Sequence, residues 1–382
     1  DNQRMWEAYK KVDFVVKGVY HLTRPEVQYA DIVLPMADCF FEDADSYFGL
    51  GGFFFPSLLG MGPVSNFFVL KQKIIEPPGE AKTSEWVNVQ LAKRLGVGEQ
   101  YSPRLIDVLD DPKAWDARLV ELQKEAWERW RPVYAQWAAN EDVDPKEAPP
   151  FEEFVKHPLF RVPLKRDPYY AFRPQVQEGV PFDTRSGKIE FYSQFLADPD
   201  MPEKELILPQ SEQPTGVCYG GSKPSVTPAM AEWVEPWDSP LSEMAGEYPL
   251  RLLTPHSFFR QHTSQDNNLW MKDEARHALW MSAIDAQARG IADGDMVRVF
   301  NPEGEAIMPV YTTSRLAPGT SCIIYGAWYQ PSQVKTDVMP DGIDVRGAAN
   351  NFTPASLYPW VNGNSVCEHL VQVQKLIGGD AK

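Results

Sequence analysis

The sequence predicts an α/β protein that ends in a β-barrel, and three patterns carry that prediction. Two short apolar strands separated by a polar segment open the chain, as at the edge of an α/β sheet. Helical periodicities follow, at residues 85–94 and from Asp111-Pro112 onward. After residue 250, four or more short strands gather around a single capped helix, which suits a small closed or nearly closed barrel.

Taken in order, Val12 to Val16 reads as a buried strand, so the chain enters strand almost at once, and Ala30 to Leu34 reads as a second that Pro35 stops. Asp38, Glu42, Asp43 and Asp45 follow. Glycines at 49, 51, 52, 60 and 62, with aromatics between them, make Phe48 to Phe68 a long loop or irregular hairpin. Thr83 or Ser84 caps a helix over Glu85 to Arg94 that turns Trp86, Val89 and Leu95 inward and ends at Gly96. Asp111-Pro112 starts another helix, on which Trp115, Leu119, Leu122 and Trp127 recur as a packing stripe until Pro132 interrupts it. Residues 141–181 are dominated by proline and charge and should wrap a surface, with one short helix from Phe151 to Lys156. Strand returns at Lys188 to Tyr192, and the Pro-, Glu- and Ser-rich stretch from Asp198 to Gly246 reads as an interdomain connection.

The last domain begins near Leu250, with a strand to Leu253. Ser282-Ala-Ile-Asp285 has the form of a capping box, and its helix stops at Gly290. Met296 to Phe300 and Glu305 to Tyr311 alternate around the turn Asn301-Pro-Glu-Gly304, and Thr320 to Tyr325 adds another strand.

Composition limits the functions available. A chain of 382 residues that is 43% apolar can bury a large core and favours two or three domains. Its 37 Lys and Arg against 53 Asp and Glu give a net charge of -16, a field that repels nucleic acid and anionic membrane. Any anionic ligand must therefore be held by a local cluster of donors. Cys39, Cys218, Cys322 and Cys367 are far apart and read as free, packed thiols. The apolar run Phe53 to Met61 is broken and too short to span lipid, and the first residues lack the pattern of a secretory signal.

Two polar clusters attract chemistry. His256, Arg260 and His262, followed by Asp266, Asn267 and Asn268, offer imidazole, guanidinium and amide groups that suit phosphate or a heteroaromatic ring. Asn350, Asn351 and Thr353 form the second. Loop histidines and asparagines also commonly satisfy only nearby backbone, and that alternative stands beside the first. No third ligand accompanies the two histidines, so no metal site is expected. Thr184-Arg-Ser-Gly-Lys-Ile-Glu190 lacks the glycine spacing of a P-loop, and no residue is nominated as catalytic.

Seven segments together resemble a known family: Tyr29-Ala-Asp-Ile-Val-Leu-Pro35, Leu91-Ala-Lys-Arg-Leu-Gly96, Thr184 to Glu190, Leu253-Thr-Pro-His256 with His262, Ile284 to Asp295 leading to Val299-Phe-Asn301, Gly326-Ala-Trp-Tyr329, and Asn350-Asn-Phe-Thr353. The chain resembles the carboxy-terminal half of the catalytic subunit of a dimethyl sulfoxide reductase-family molybdopterin oxidoreductase. The resemblance implies that residues 1–82 end a Rossmann-like α/β domain, residues 83–247 complete a partner α/β domain and a connection, and residues 248–382 form a double-psi-type six-stranded barrel that binds the cofactor. It implies molybdopterin guanine dinucleotide with molybdenum or tungsten, and oxygen-atom transfer from a sulfoxide, N-oxide or oxyanion. His256, Phe259, Arg260, His262 and Thr263 would line pterin or diphosphate, with Asp285, Asn301, Asn350 and Thr353 as further cofactor-binding candidates.

The metal ligand and an iron-sulphur cluster would lie in a missing amino-terminal half, leaving this chain inactive alone, whether it is a recombinant fragment, a processed product or a split subunit. Expected partners are that half, an iron-sulphur electron-transfer subunit and a membrane anchor, without nucleic acid or direct membrane insertion. The parent enzyme would be periplasmic or associated with the cell envelope, the alternative being cytoplasmic. Ser282-Ala283 stands where the family usually has Asn-Pro, and His21 where it often has aspartate. A noncatalytic binding or assembly module, or a nonredox hydratase or transhydroxylase, is the alternative on the same scaffold.

Overall fold

A computed structural model describes residues 2–37, 67–70, 72–73, 75–140, 148–161, 172–197, 229–231, 239–274, 276–353 and 368–376. They fall into two compact units, one made of residues 16–22 and 32–189, the other of residues 1–15, 23–31 and 190–382. Of the loop or irregular hairpin expected from Phe48 to Phe68, residues 48–66 lie outside the described residues, as do most of the connection at 198–246 and Cys39, Cys218 and Cys367, while Phe67 and Phe68 are in a strand.

In the first unit, β1 (Val16–Val19) pairs in parallel with β2 (Ile32–Pro35), and β3 (Phe67–Val69) pairs antiparallel with β4 (Leu159–Arg161). Both opening strands sit later than the sequence predicts. Val12 and Phe14 are exposed and precede the strand, while the Val15 N–H is taken up by the Asp31 carboxylate at 2.7 Å. The helix Ser84–Arg94 is capped by Thr83, whose hydroxyl accepts from the Trp86 N–H at 3.2 Å, and it ends where Gly96 takes a φ of +75°. Val89 is buried, but Leu95, expected inside, is exposed because it has become the carboxy-terminal cap. Pro132 does not end its helix, which runs from Pro112 to Asn140. A proline removes one intrahelical hydrogen bond, and here the turn before it is anchored: Trp127 stacks on Phe154 at 4.1 Å, and Arg131 donates to the Ala148 carbonyl at 2.9 Å. The short helix Phe151–Lys156 lies where predicted. Lys188 to Tyr192 is not a strand: Thr184–Gly187 forms a turn, and beyond it only an isolated bridge joins Tyr192 to Met230.

The second unit opens with helix α1 (Asn2–Lys10), ahead of the first strand that the sequence predicts and itself unforeseen in the sequence. Trp6, four residues short of its end, is buried in a stack with Tyr29 at 5.0 Å and Tyr329 at 5.7 Å, and that tertiary contact holds a helix too short to persist alone. The barrel comprises β5 (Leu250–Leu253), β6 (Leu279–Ser282), β7 (Met296–Asn301), β8 (Gly304–Thr313), β9 (Thr320–Ile323) and β10 (Glu368–Lys375). It closes in the order β10-β5-β9-β6-β8-β7. Alternate side chains of these strands, among them Leu252, Met281, Val297, Val299, Met308, Ile323 and Val371, fill its interior. The hairpin β7–β8 turns at Asn301–Gly304 as the sequence predicts. The expected capping box is absent: Ser282 makes no capping hydrogen bond, and Asp285 instead accepts from the Gly319 N–H at 2.7 Å.

Candidate functional site

The β5–β6 connection folds over one end of the barrel and meets the segment after β9. Ser257 starts a tight turn, its hydroxyl accepting from the N–H groups of Phe259 at 2.9 Å and Arg260 at 3.2 Å. His262 then adopts a left-handed φ of 53°. Its carbonyl lies so close to Gly326 that a Cβ there would stand 1.9 Å from it, and Gly326 itself has a φ of +103°. Glycine is required for the two segments to touch.

Behind this contact lies a closed circuit of charge-assisted hydrogen bonds around Asp266, which is 3% exposed. Its Oδ1 accepts from Arg260 Nη1 at 2.5 Å and Arg346 Nη2 at 2.8 Å, and its Oδ2 from the Trp328 N–H at 2.9 Å. Burial alone would raise the Asp266 carboxyl, but these donors outweigh it and hold the group below the usual carboxylate range. Arg260 Nη2 also reaches His277 Nδ1 at 3.1 Å, and His277 Nε2 lies 3.0 Å from the Gly347 carbonyl. Arginine has no acceptor, so Nδ1 must present its lone pair and Nε2 must carry the proton donated to Gly347. Burial and the two guanidinium charges push His277 down to about 4, which keeps it neutral. Two guanidiniums on one carboxylate leave a net positive charge, set within an acidic chain. Phe259, Arg260, Gln265, Met271, Lys272 and Arg346 line a small concavity beside it, open to solvent.

At the outer side, the Tyr325 hydroxyl lies 2.8 Å from His256 Nδ1 and 2.9 Å from His262 Nδ1. A phenol has a single proton to donate, so in this arrangement it donates to one imidazole and accepts from the other. Trp328 secures the same loop, its indole N–H donating to the Thr263 carbonyl at 2.7 Å.

The predicted residues thus separate. His256, Phe259, Arg260, His262 and Thr263 share one loop. Asp285 lies at the opposite end of β9, bound to Gly319. Asn301 is buried and already committed: its amide donates to the carbonyls of Phe352 at 2.9 Å and Leu370 at 3.2 Å, while its oxygen accepts from the N–H groups of Glu303 and Gly304. Asn350 is exposed on the short helix Ala349–Phe352, and Thr353 ends that helix half-buried. Asp266, which the sequence places in the same polar loop, is the centre of the cluster, and His277, Tyr325, Trp328 and Arg346 complete it although sequence reasoning gave them no role in it. Among the described residues no group of three or more His, Cys, Asp or Glu is arranged to hold a metal ion. Cys322 is buried, which pushes its thiol up to about 11.

Residues 250–368, which contain this whole cluster, match the molydopterin dinucleotide binding domain. Dimethyl sulfoxide reductase DmsA of Escherichia coli (strain K12) is 32% identical over 378 residues, covering 96% of this chain and 38% of that protein. The carboxy-terminal region thus matches the molybdopterin dinucleotide-binding domain of dimethyl sulfoxide reductase-family molybdoenzymes. A trimethylamine-N-oxide reductase of Haemophilus influenzae is 28% identical over 388 residues, covering 99% of this chain and 40% of that protein. The chain therefore spans about two fifths of the length of these relatives. Among solved structures, acetylene hydratase from Pelobacter acetylenicus shares the fold, with a TM-score of 0.58 and 19% identity over 98% of this chain and 42% of that one.

Proposed function

We propose that this chain is the cofactor-covering carboxy-terminal part of a molybdenum or tungsten oxidoreductase that holds two molybdopterin guanine dinucleotides and removes an oxygen atom from a sulfoxide, N-oxide or related oxyanion. The observation that carries the reading is the net positive Arg260–Asp266–Arg346 cluster, with two imidazoles beside it, inside the region that matches the dinucleotide-binding family. A diphosphate needs concentrated donors in so acidic a chain, and this donor set fits one.

In this reading residues 248–382 cap the cofactor with a barrel of double-psi connectivity, which the parallel pairs β5–β9 and β6–β8 support. Residues 1–82 and 83–247 belong to two α/β domains that continue in the rest of the enzyme. His256, His262 and Arg260 face the anionic and heteroaromatic parts of the cofactor, Thr263 and Phe259 shape the loop, and Asn350 and Thr353 stand at its edge. Asp285 and Asn301 contribute by holding the barrel rather than by touching the cofactor. Once bound, the cofactor supplies a metal that changes oxidation state as oxygen leaves the substrate. The metal ligand and an iron-sulphur cluster come from an amino-terminal part. Phe258, Leu269 and Trp270, exposed apolar side chains beside the cluster, offer that part a surface to cover. An iron-sulphur subunit and a membrane anchor complete an assembly at the cell envelope.

Metal and pterin analysis of the native enzyme containing this chain tests the reading. Molybdenum or tungsten with two pterins is expected, together with oxidation of a reduced viologen on addition of dimethyl sulfoxide or trimethylamine N-oxide. Full activity without metal and pterin would reject it, and product formed from substrate without an electron donor would replace reduction by nonredox chemistry.

A further inference from the structure

One carboxylate lies behind the charged circuit without belonging to it. Asp344 is 0% exposed and faces no basic side chain among its hydrogen-bond partners. Its Oδ1 accepts from the backbone N–H groups of Gln330 at 3.0 Å and Arg346 at 2.9 Å. Its Oδ2 accepts from the Ala348 N–H at 2.6 Å and from Asn351 Nδ2 at 2.7 Å. Four donors from four points of the chain converge on one side chain, so the path from Gln330 to Asn351 is wound around it. Asn351 in turn accepts from Asn2 Nδ2 at 2.7 Å, which ties α1 into the same polar chain.

Two groups that this winding orients belong to the circuit around Asp266. Arg346 sends its guanidinium to Asp266, and Gly347, the next residue, turns its carbonyl toward His277. Gly347 has a φ of +85°, and a Cβ there would lie 2.7 Å from Met308 Cε, so the backbone has no other comfortable path. The circuit runs from Arg346 to Asp266, from Asp266 to Arg260, from Arg260 to His277, and from His277 back to the neighbour of Arg346. Asp344 holds both ends.

We infer that Asp344 is a positioning residue for the cofactor loop: by fixing the Arg346 backbone and the Gly347 carbonyl it sets the direction in which Arg260 presents its guanidinium. This inference rests on the cofactor reading given above. The replacement Asp344→Asn keeps the shape but turns an NH2 toward a pair of donors, so two of the four hydrogen bonds are lost and the nest must open.

The test uses the native full-length enzyme and reads pterin retained per protein after gel filtration, by fluorescence of the oxidised pterin, alongside the thermal unfolding of the cofactor-free form. D344N is expected to lower retained pterin on the order of tenfold, as loss of an outer-shell partner does elsewhere. R346Q should do the same, and the double variant should be no worse than R346Q, because both changes break one linkage. A general loss of fold would instead add the two effects. If D344N does not fold, N351A, which removes one donor and leaves three, should fold and show a smaller loss in the same direction. Wild-type retention in a folded D344N or N351A, or additive losses in the double variant, would overturn the inference. Absence of pterin from the wild-type enzyme would instead reject the cofactor reading itself.

Discussion

Gly326 is where one added methyl group meets the least tolerant surroundings. Its φ of +103° and the carbonyl of His262 at 1.9 Å from an added Cβ leave that methyl no space. Gly326→Ala should cost about 3 kcal/mol in urea unfolding, and an unchanged midpoint would mean that the two segments do not touch in solution. His277 makes a second residue-scale prediction. An unfolded histidine takes up a proton near 6.5, whereas folded His277 does so only at about 4. Its contribution is therefore complete above pH 6.5 and is lost as pH falls from 6.5 toward about 4, on the order of 3 kcal/mol. Gln in its place can still accept from Arg260 and donate to Gly347 but does not titrate. The difference in unfolding free energy between wild type and His277→Gln should thus depend on pH within that window, and a flat difference would refute the assignment.

At the scale of elements, caps that look alike in sequence behave differently. Thr83→Ala removes a formed capping hydrogen bond and should cost about 1 kcal/mol, whereas Ser282→Ala removes none at its helix and should shift the urea midpoint less. Equal losses would show that Ser282 caps after all. Much of the architecture was legible because it rests on local chemistry. The Thr83 cap, the Gly96 and Gly290 stops and the Asn301–Gly304 turn each belong to a few consecutive residues, and all appear where the sequence places them. The strands β6 and β10 were missed. Leu279–Ser282 is four residues run directly into a helix, with no room for alternation to appear, and the alternation in Glu368–Lys375 went unread. Helix α1 depends on stacking of Trp6 against Tyr29 and Tyr329, which are distant in sequence.

For the whole molecule, hydrogen exchange should divide the described chain sharply. The amides of Leu252, Val297, Val299, Met308 and Ile323, inside a closed barrel, should exchange slowest, and those around the exposed Ile189 and Phe191 should exchange early. Similar rates in both places would argue against a cooperative barrel. The same distinction of local and distant explains how far the site could be read. His256, Arg260 and His262 stand out because they crowd a single loop, whereas Asp266 gains meaning only from Arg346 and Trp328, which come from far along the chain. Asn301 and Asp285 carry polar groups suited to a ligand, yet the barrel consumes them in its own hydrogen bonds. The manner of closure also constrains biosynthesis. β10 joins β5 through Glu368–Val371 and β7 through Gln372–Lys375, so one edge of the first stave, whose other edge takes β9, stays unmatched until the last has left the ribosome. On the cofactor reading proposed above, loading at this end of the molecule would wait for synthesis to pass Lys375, and a chaperone guarding the nascent chain would have to shield the lone edge of Leu250–Leu253 until then.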